Sequence, residues 1–114
     1  MQGITESLGG TGLVTFSPGY DALINNDALV DRLRETAIPI LGKEHVLWKI
    51  APGMGVEDFS FFLNKTPGVF YHLGCGNQAK SQTAPLHSRE FSLDEDSLAL
   101  GIHLQVSLAL SLMA

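Results

Sequence analysis

The segment from Leu98 to Ala114 constrains this chain more than any other. Leu98, Leu100, Ile102, Leu104, Val106, Leu108, Leu110 and Leu112 recur at every second position, a period that belongs to a β-strand. The length of the run argues against one, since ordinary strands are shorter. The entry argues for a helix: Ser92 and Glu95 stand at capping-box spacing, and Asp94, Glu95 and Asp96 suit the positive end of a helix dipole. The segment therefore reads as a helix buried on most of its surface. It is slightly short for a membrane span and carries His103, Gln105, Ser107 and Ser111, so its expected surroundings are protein and no membrane partner is expected.

A helix of that kind needs a core around it. With 114 residues, 45% of them hydrophobic, the chain has the size and composition of one small, packed globular domain. A formal net charge of -5 with seven Lys and Arg leaves no basic face for phosphates, which excludes nucleic acid as a partner. The lone Cys75 has no internal disulfide partner, and Met1-Gln2-Gly3-Ile4-Thr5-Glu6 has neither the basic start nor the apolar core of a signal peptide. A reducing cytoplasm is the expected setting.

Upstream of the last segment, helix and strand signals alternate. Residues 4–10 resemble the end of a helix closed by Gly9 and Gly10, and Leu13-Val14-Thr15-Phe16 reads as a short strand. Asn25-Asn26-Asp27 opens a helix to Leu41, with Leu29, Val30, Leu33, Ala37, Ile40 and Leu41 at helical spacing and Gly42 as the stop. Pro39 should bend or fray its last turn, ending it near Ile38. Val46–Ile50 and Val69–Leu73 read as strands, and Val56–Leu63 as a short helix with Phe59, Phe62 and Leu63 on one face. Residues 74–83 form a polar loop. The resulting fold class is α/β, with the strand after each helix expected parallel to its predecessor.

None of the four histidines, His45, His72, His87 and His103, has the spacing of a local zinc site. His87 has the best setting, because Pro85 stiffens its approach and it follows a polar loop at a strand end. His72 and His103 lie in apolar segments that favour a hydrogen-bonded core role, and His45 reads as a surface residue. Glu57 and Asp58 begin a glycine-led helix, where carboxylates cap the helix or offset its dipole without chemical duty. Cys75 has no neighbouring base or cation to activate it. No phosphate loop, serine elbow or dinucleotide fingerprint occurs.

Three phrases acquire meaning together: Gly53-Met54-Gly55-Val56-Glu57-Asp58-Phe59-Ser60-Phe61-Phe62, Pro67-Gly68-Val69-Phe70-Tyr71-His72-Leu73-Gly74, and Pro85-Leu86-His87-Ser88-Arg89-Glu90-Phe91. In this order and spacing the chain resembles the C-terminal third of the aminoacylase, hippurate hydrolase and carboxypeptidase family of metallopeptidases. The likeness is strongest to its N-acyl amino acid and auxin-conjugate amidohydrolases.

The resemblance implies a partial three-layer α/β/α zinc-peptidase-like catalytic domain over residues 21–114. Residues 1–20 then resemble the last helix and strand of an α+β lid domain. It implies that His87 ligates one of two divalent metals (zinc, manganese or cobalt), with no other catalytic group in this chain. Gly55, Glu57 and Asp58 become candidates for the substrate pocket, whether by touching substrate or by bracing the loop. The implied substrate is an N-acyl amino acid or a similar small amide, and the implied partners are the missing N-terminal part of the enzyme and possible homodimerisation. The fragment alone is expected to be inactive; the alternative is a non-enzymatic interaction domain or the relic of a truncated gene.

Overall fold

The computed structural model describes residues 2–48 and 51–113. Its helices are α1 (Gln2–Ser7), α2 (Asp27–Leu41), α3 (Ser60–Leu63) and α4 (Asp96–Met113), with a 3-10 turn at Lys43–His45.

α2 spans the residues its periodicity marks. Asn26 Oδ1 accepts the Leu29 N–H at 3.1 Å, satisfying one of the unpaired donors of the first turn. The helix does not stop near Ile38, as Pro39 led us to expect, but continues through it to Leu41. Proline removes only the bond to the Glu35 carbonyl, whereas Gly42, at φ +86°, closes the end by donating its N–H to Ile38 O at 2.9 Å.

α4 is a helix, but it starts at Asp96 and no hydrogen bond joins Ser92 to Glu95. Asp94 governs the entry instead, its carbonyl accepting both the backbone N–H (3.0 Å) and the hydroxyl (2.6 Å) of Ser97. The expectation of burial on most sides is also corrected: only Ser97 and Leu104 of α4 are buried. Helical winding of about 100° per residue sends positions two apart to nearly opposite sides. The alternating leucines thus form two stripes. One, with Leu100, Leu104 and Leu108, is shielded and packs towards α2, where Thr36 Oγ1 and Ser111 Oγ meet at 3.5 Å. The other, Leu98, Ile102, Val106 and Leu110, is 53–66% exposed.

The remaining expectations are corrected more sharply. Among the described residues there is no strand, only an isolated antiparallel bridge between Asn77 and Gln82. Residues 13–16, 46–48 and 69–73 pair with no neighbouring segment; Lys49 and Ile50 lie outside the described residues. Phe70 is nonetheless paired as a strand residue would be, but with a side chain. Asn25 Nδ2 donates to Phe70 O and Asn25 Oδ1 accepts from Phe70 N, both at 2.8 Å, while Asn26 N–H donates to Gly68 O at 3.0 Å. The helix expected over 56–63 contracts to the single turn of α3, with Phe59 stacking near Phe62 and Phe70 at ring distances of 5.8 and 5.7 Å.

No packed globular core results. Ala37 and Leu104 are the only buried apolar side chains among the described residues. The radius of gyration is 20.6 Å, against about 13 Å for a compact chain of this length. The accessible surface is 9560 Å², against about 6,100 Å² for a folded monomer of this mass. Apolar residues are plentiful; surfaces to set them against are lacking.

Candidate functional site

The loop from Cys75 to Asp94 is the most heavily bonded irregular part of the chain. Asn77 and Gln82 exchange backbone bonds at 2.9 Å in both directions. The Asn77 side chain accepts from the N–H groups of Ala79 and Lys80 and donates to Asp94 Oδ2 at 2.6 Å. Lys80 Nζ donates to Asp94 Oδ1 and, at 3.1 Å, to Asp96 Oδ2. Gln82 Nε2 reaches across to Leu93 O at 2.8 Å, and Asp94 N–H donates to Cys75 O at 2.8 Å. Asn77's amide and, next, the Lys80 ammonium hold the Asp94 carboxyl below its ordinary pKa; Asp94 and Asp96 raise that of Lys80.

His87 stands at the far end of this braced frame. Pro85 O accepts from Ser88 N–H at 3.1 Å, so Leu86 and His87 are the central residues of a turn, and Ser88 O accepts from Phe91 N–H in the next. His87 has φ +69°, and Ser81 in the same loop has φ +56°; they are the only non-glycine residues with positive φ among those described. For an L-residue with a Cβ this conformation costs about 1–2 kcal/mol, and such strain gathers where side chains must be aimed. The imidazole is exposed and no hydrogen bond, ion pair or ring contact engages it among the described residues, which leaves both ring nitrogens open to a ligand there. Beside it, Ser88 Oγ is buried without a partner, as is Gln82 Oε1 at the loop base.

The other sequence-derived candidates sit elsewhere. Glu57 Oε1 accepts the Phe59 N–H at 3.2 Å, so Glu57 braces the entry to α3. Asp58 is exposed, its carbonyl accepting from Phe61 N–H at 3.0 Å. Gly55 is exposed, with open space where a Cβ would stand. No hydrogen bond or ion pair joins these residues to the His87 loop among those described. His72 and His103, expected in the core, are both exposed; His72 packs edge-on to Phe70, and the outward side of α4 carries His103. His45 is a surface residue 3.8 Å from Glu44. No group of three His, Cys, Asp or Glu side chains that could hold a metal forms among the described residues.

Nothing local in the sequence marks the bracing set as functional. Asn77, Lys80 and Gln82 were simply parts of a polar loop, and Asp94 part of an acidic helix start. The adjoining Gly76-Asn77 turn signal was the one available hint. Beneath the loop lies a cavity of about 270 Å³ lined by Leu73, Cys75, Gln82, Ala84, Leu86 and Phe91.

A profile of peptidase family M20/M25/M40 matches residues 11–111. The chain is 36% identical over 91 residues to IAA-amino acid hydrolase ILR1-like 6 of Arabidopsis thaliana, covering 79% of this chain and 19% of that protein. It is 38% identical over 82 residues to thermostable carboxypeptidase 2 of Saccharolobus solfataricus, covering 72% and 20%. It is 28% identical over 98 residues to the putative amidohydrolase YhaA of Bacillus subtilis, covering 86% and 24%. The matched span covers about a fifth of the length of these relatives. No solved structure matches it significantly. Hydrolases of this family generally use divalent metals, and the family fits a zinc-peptidase-like α/β fold. With a profile match across nearly its whole length, the chain belongs to peptidase family M20/M25/M40, a family of metallopeptidases and amidohydrolases.

Proposed function

We propose that this chain forms the C-terminal part of a two-metal amidohydrolase that cleaves the amide of N-acyl amino acids or similar small substrates, and that His87 supplies one metal ligand. The observation that carries the reading is the backbone of His87: an exposed imidazole held at φ +69° on a braced loop, inside the span of the family match. A bound metal pair would polarise the amide carbonyl and lower the pKa of water. His87 contributes a neutral nitrogen donor, suited to zinc, manganese or cobalt. Glu57 shapes the loop through Phe59, leaving Asp58 and Gly55 to face substrate. The other ligands and the proton-transferring group belong to sequence that the relatives carry and this span does not match.

In this reading residues 1–20 close a lid domain and residues 21–114 belong to a three-layer catalytic domain in a cytoplasmic enzyme. The exposed stripe of α4 meets the rest of that domain. α4 is long and apolar enough to cross a membrane by length and composition, but its pairing with α2 and its internal His103, Gln105 and Ser107 favour protein surroundings.

The test joins this chain to the upstream four-fifths of the Saccharolobus solfataricus carboxypeptidase. The joined enzyme should bind two metals and hydrolyse N-acyl amino acids, and the 114-residue chain alone should do neither. His87→Asn, which tolerates positive φ, should lose one metal with the turn intact; retention of both metals would refute the ligand assignment. A second reading, a non-catalytic interaction domain, draws on the same exposed stripe. It predicts a stable homodimer of the chain that binds no upstream segment, which light scattering of the chain mixed with that segment distinguishes.

A further inference from the structure

We propose that Gln82 and Asp94 are positioning residues for His87, holding the loop that presents its imidazole. The inference rests on the reading of His87 as a metal ligand, and adds to it the part of the chain that aims the ligand.

The bonds divide the loop into a fixed base and a free tip. Gln82 belongs to both sides of the base: its backbone is paired in both directions with Asn77, and its side chain donates to Leu93 O at 2.8 Å. Asp94, the next residue on the returning side, takes Asn77 Nδ2 on one oxygen and Lys80 Nζ on the other, and anchors its own N–H on Cys75 O. The two ends of the segment 83–92 are therefore tied to each other and to a common platform. Within that segment, the bonds among the described residues are the consecutive turns Pro85–Ser88 and Ser88–Phe91 and one exposed ion pair between the chain neighbours Arg89 and Glu90. A turn with a non-glycine residue at φ +69° persists only where its surroundings over-determine it, and the tied ends supply that constraint. The Asp94 side chain is only 14% exposed, whereas Asp96, which shares Lys80, is 89% exposed. The constraint therefore lies with Asp94 and not with Asp96.

Partners that hydrogen-bond a ligand directly change metal affinity about 10–100-fold when removed, which sets the scale for residues that act on the ligand through its loop. Their effect falls on one metal, because His87 is the single ligand that the loop carries.

The first measurement uses the metal-free 114-residue chain, reading the φ-sensitive one-bond Cα–Hα coupling and the 15N order parameter of His87. Asp94→Ala and Gln82→Met, which keeps the shape and loses the donor, should shift His87 to negative φ. They should also lower its order parameter from about 0.85 to below about 0.6. Asp96→Ala should change neither, and Ala37 and Leu104 should keep their parent signals in all three. An unchanged His87 in Asp94→Ala and Gln82→Met would overturn the proposal, as would loss of the α2–α4 signals in step with it. If the isolated chain gives no resolved spectrum, the joined enzyme decides by chelator competition with zinc. Both substitutions should then weaken one zinc about 10–100-fold and leave the other within twofold, with Asp94→Asn partly restoring affinity through the retained Asn77 bond. Equal weakening of both zincs, or of neither, overturns the proposal. If His87→Asn instead keeps both zincs, the ligand assignment fails by itself, and the coupling measurement still decides whether the base holds the turn.

Discussion

At the scale of single residues, the loop around His87 depends on one carboxylate. Asp94 is held below its ordinary pKa by Asn77 and Lys80, so its contribution is complete above the unfolded value of about 3.9 and vanishes as pH falls through the lower folded value. Lys80 is shifted the other way, up from 10.5, so its contribution is complete below that value and is lost as pH rises through the folded one. The base of the loop should therefore stay closed from about pH 4 to about pH 10. Hydrogen exchange at the Gln82 amide, corrected for intrinsic rate, should show flat protection across that window and loss on the acid side; loss already at pH 6 would contradict it. The role proposed for His87 can be read from the sequence because its neighbours form a phrase. Those of Gln82 and Asp94 cannot, because they arise from bonds across 11 and 17 residues that no local spacing encodes.

Among the secondary-structure elements, the helices were legible and the strands were not, for a common reason. α2 carries its own start in Asn26 and its own stop in Gly42, so its local sequence suffices. A strand is defined by its neighbour, and Leu13–Phe16 and Val69–Leu73 have none among the described residues. α4 shows how periodicity misleads: a repeat of two, wound into a helix, yields two apolar stripes on opposite sides, and only one finds cover here. Leu104→Ala, on the covered stripe, should destabilise the α2–α4 pair by about 2–5 kcal/mol. Ile102→Lys, on the open stripe, should change stability by no more than about 0.5 kcal/mol in the isolated chain. Urea denaturation followed by circular dichroism compares the two, and equal losses would mean that α4 is not one-sided. In the joined enzyme the lysine should become the damaging change.

For the whole molecule, composition promised a core that the chain does not close on itself. The apolar residues expected inside are largely on the surface, among them Phe16, Leu47 and Met54 at 89%, 86% and 98% exposure. Exposed apolar area on this scale drives association. The isolated chain should gain mass with concentration in light scattering, and the joined enzyme should not; an isolated chain that stays monomeric at high concentration would remove the need for a partner surface. The bracket formed by Asn25 bears on how such a partner attaches. In extended backbone the N–H and C=O of one residue point to the same side, as do those two residues along. The Gly68 carbonyl and both backbone groups of Phe70 therefore share one edge, and Asn25 and Asn26 occupy it. The opposite edge, presenting Val69 and Tyr71, carries no hydrogen bond among the described residues. A strand added to this segment would have to pair along the Val69 and Tyr71 edge, because Asn25 and Asn26 already take the hydrogen bonds of the other.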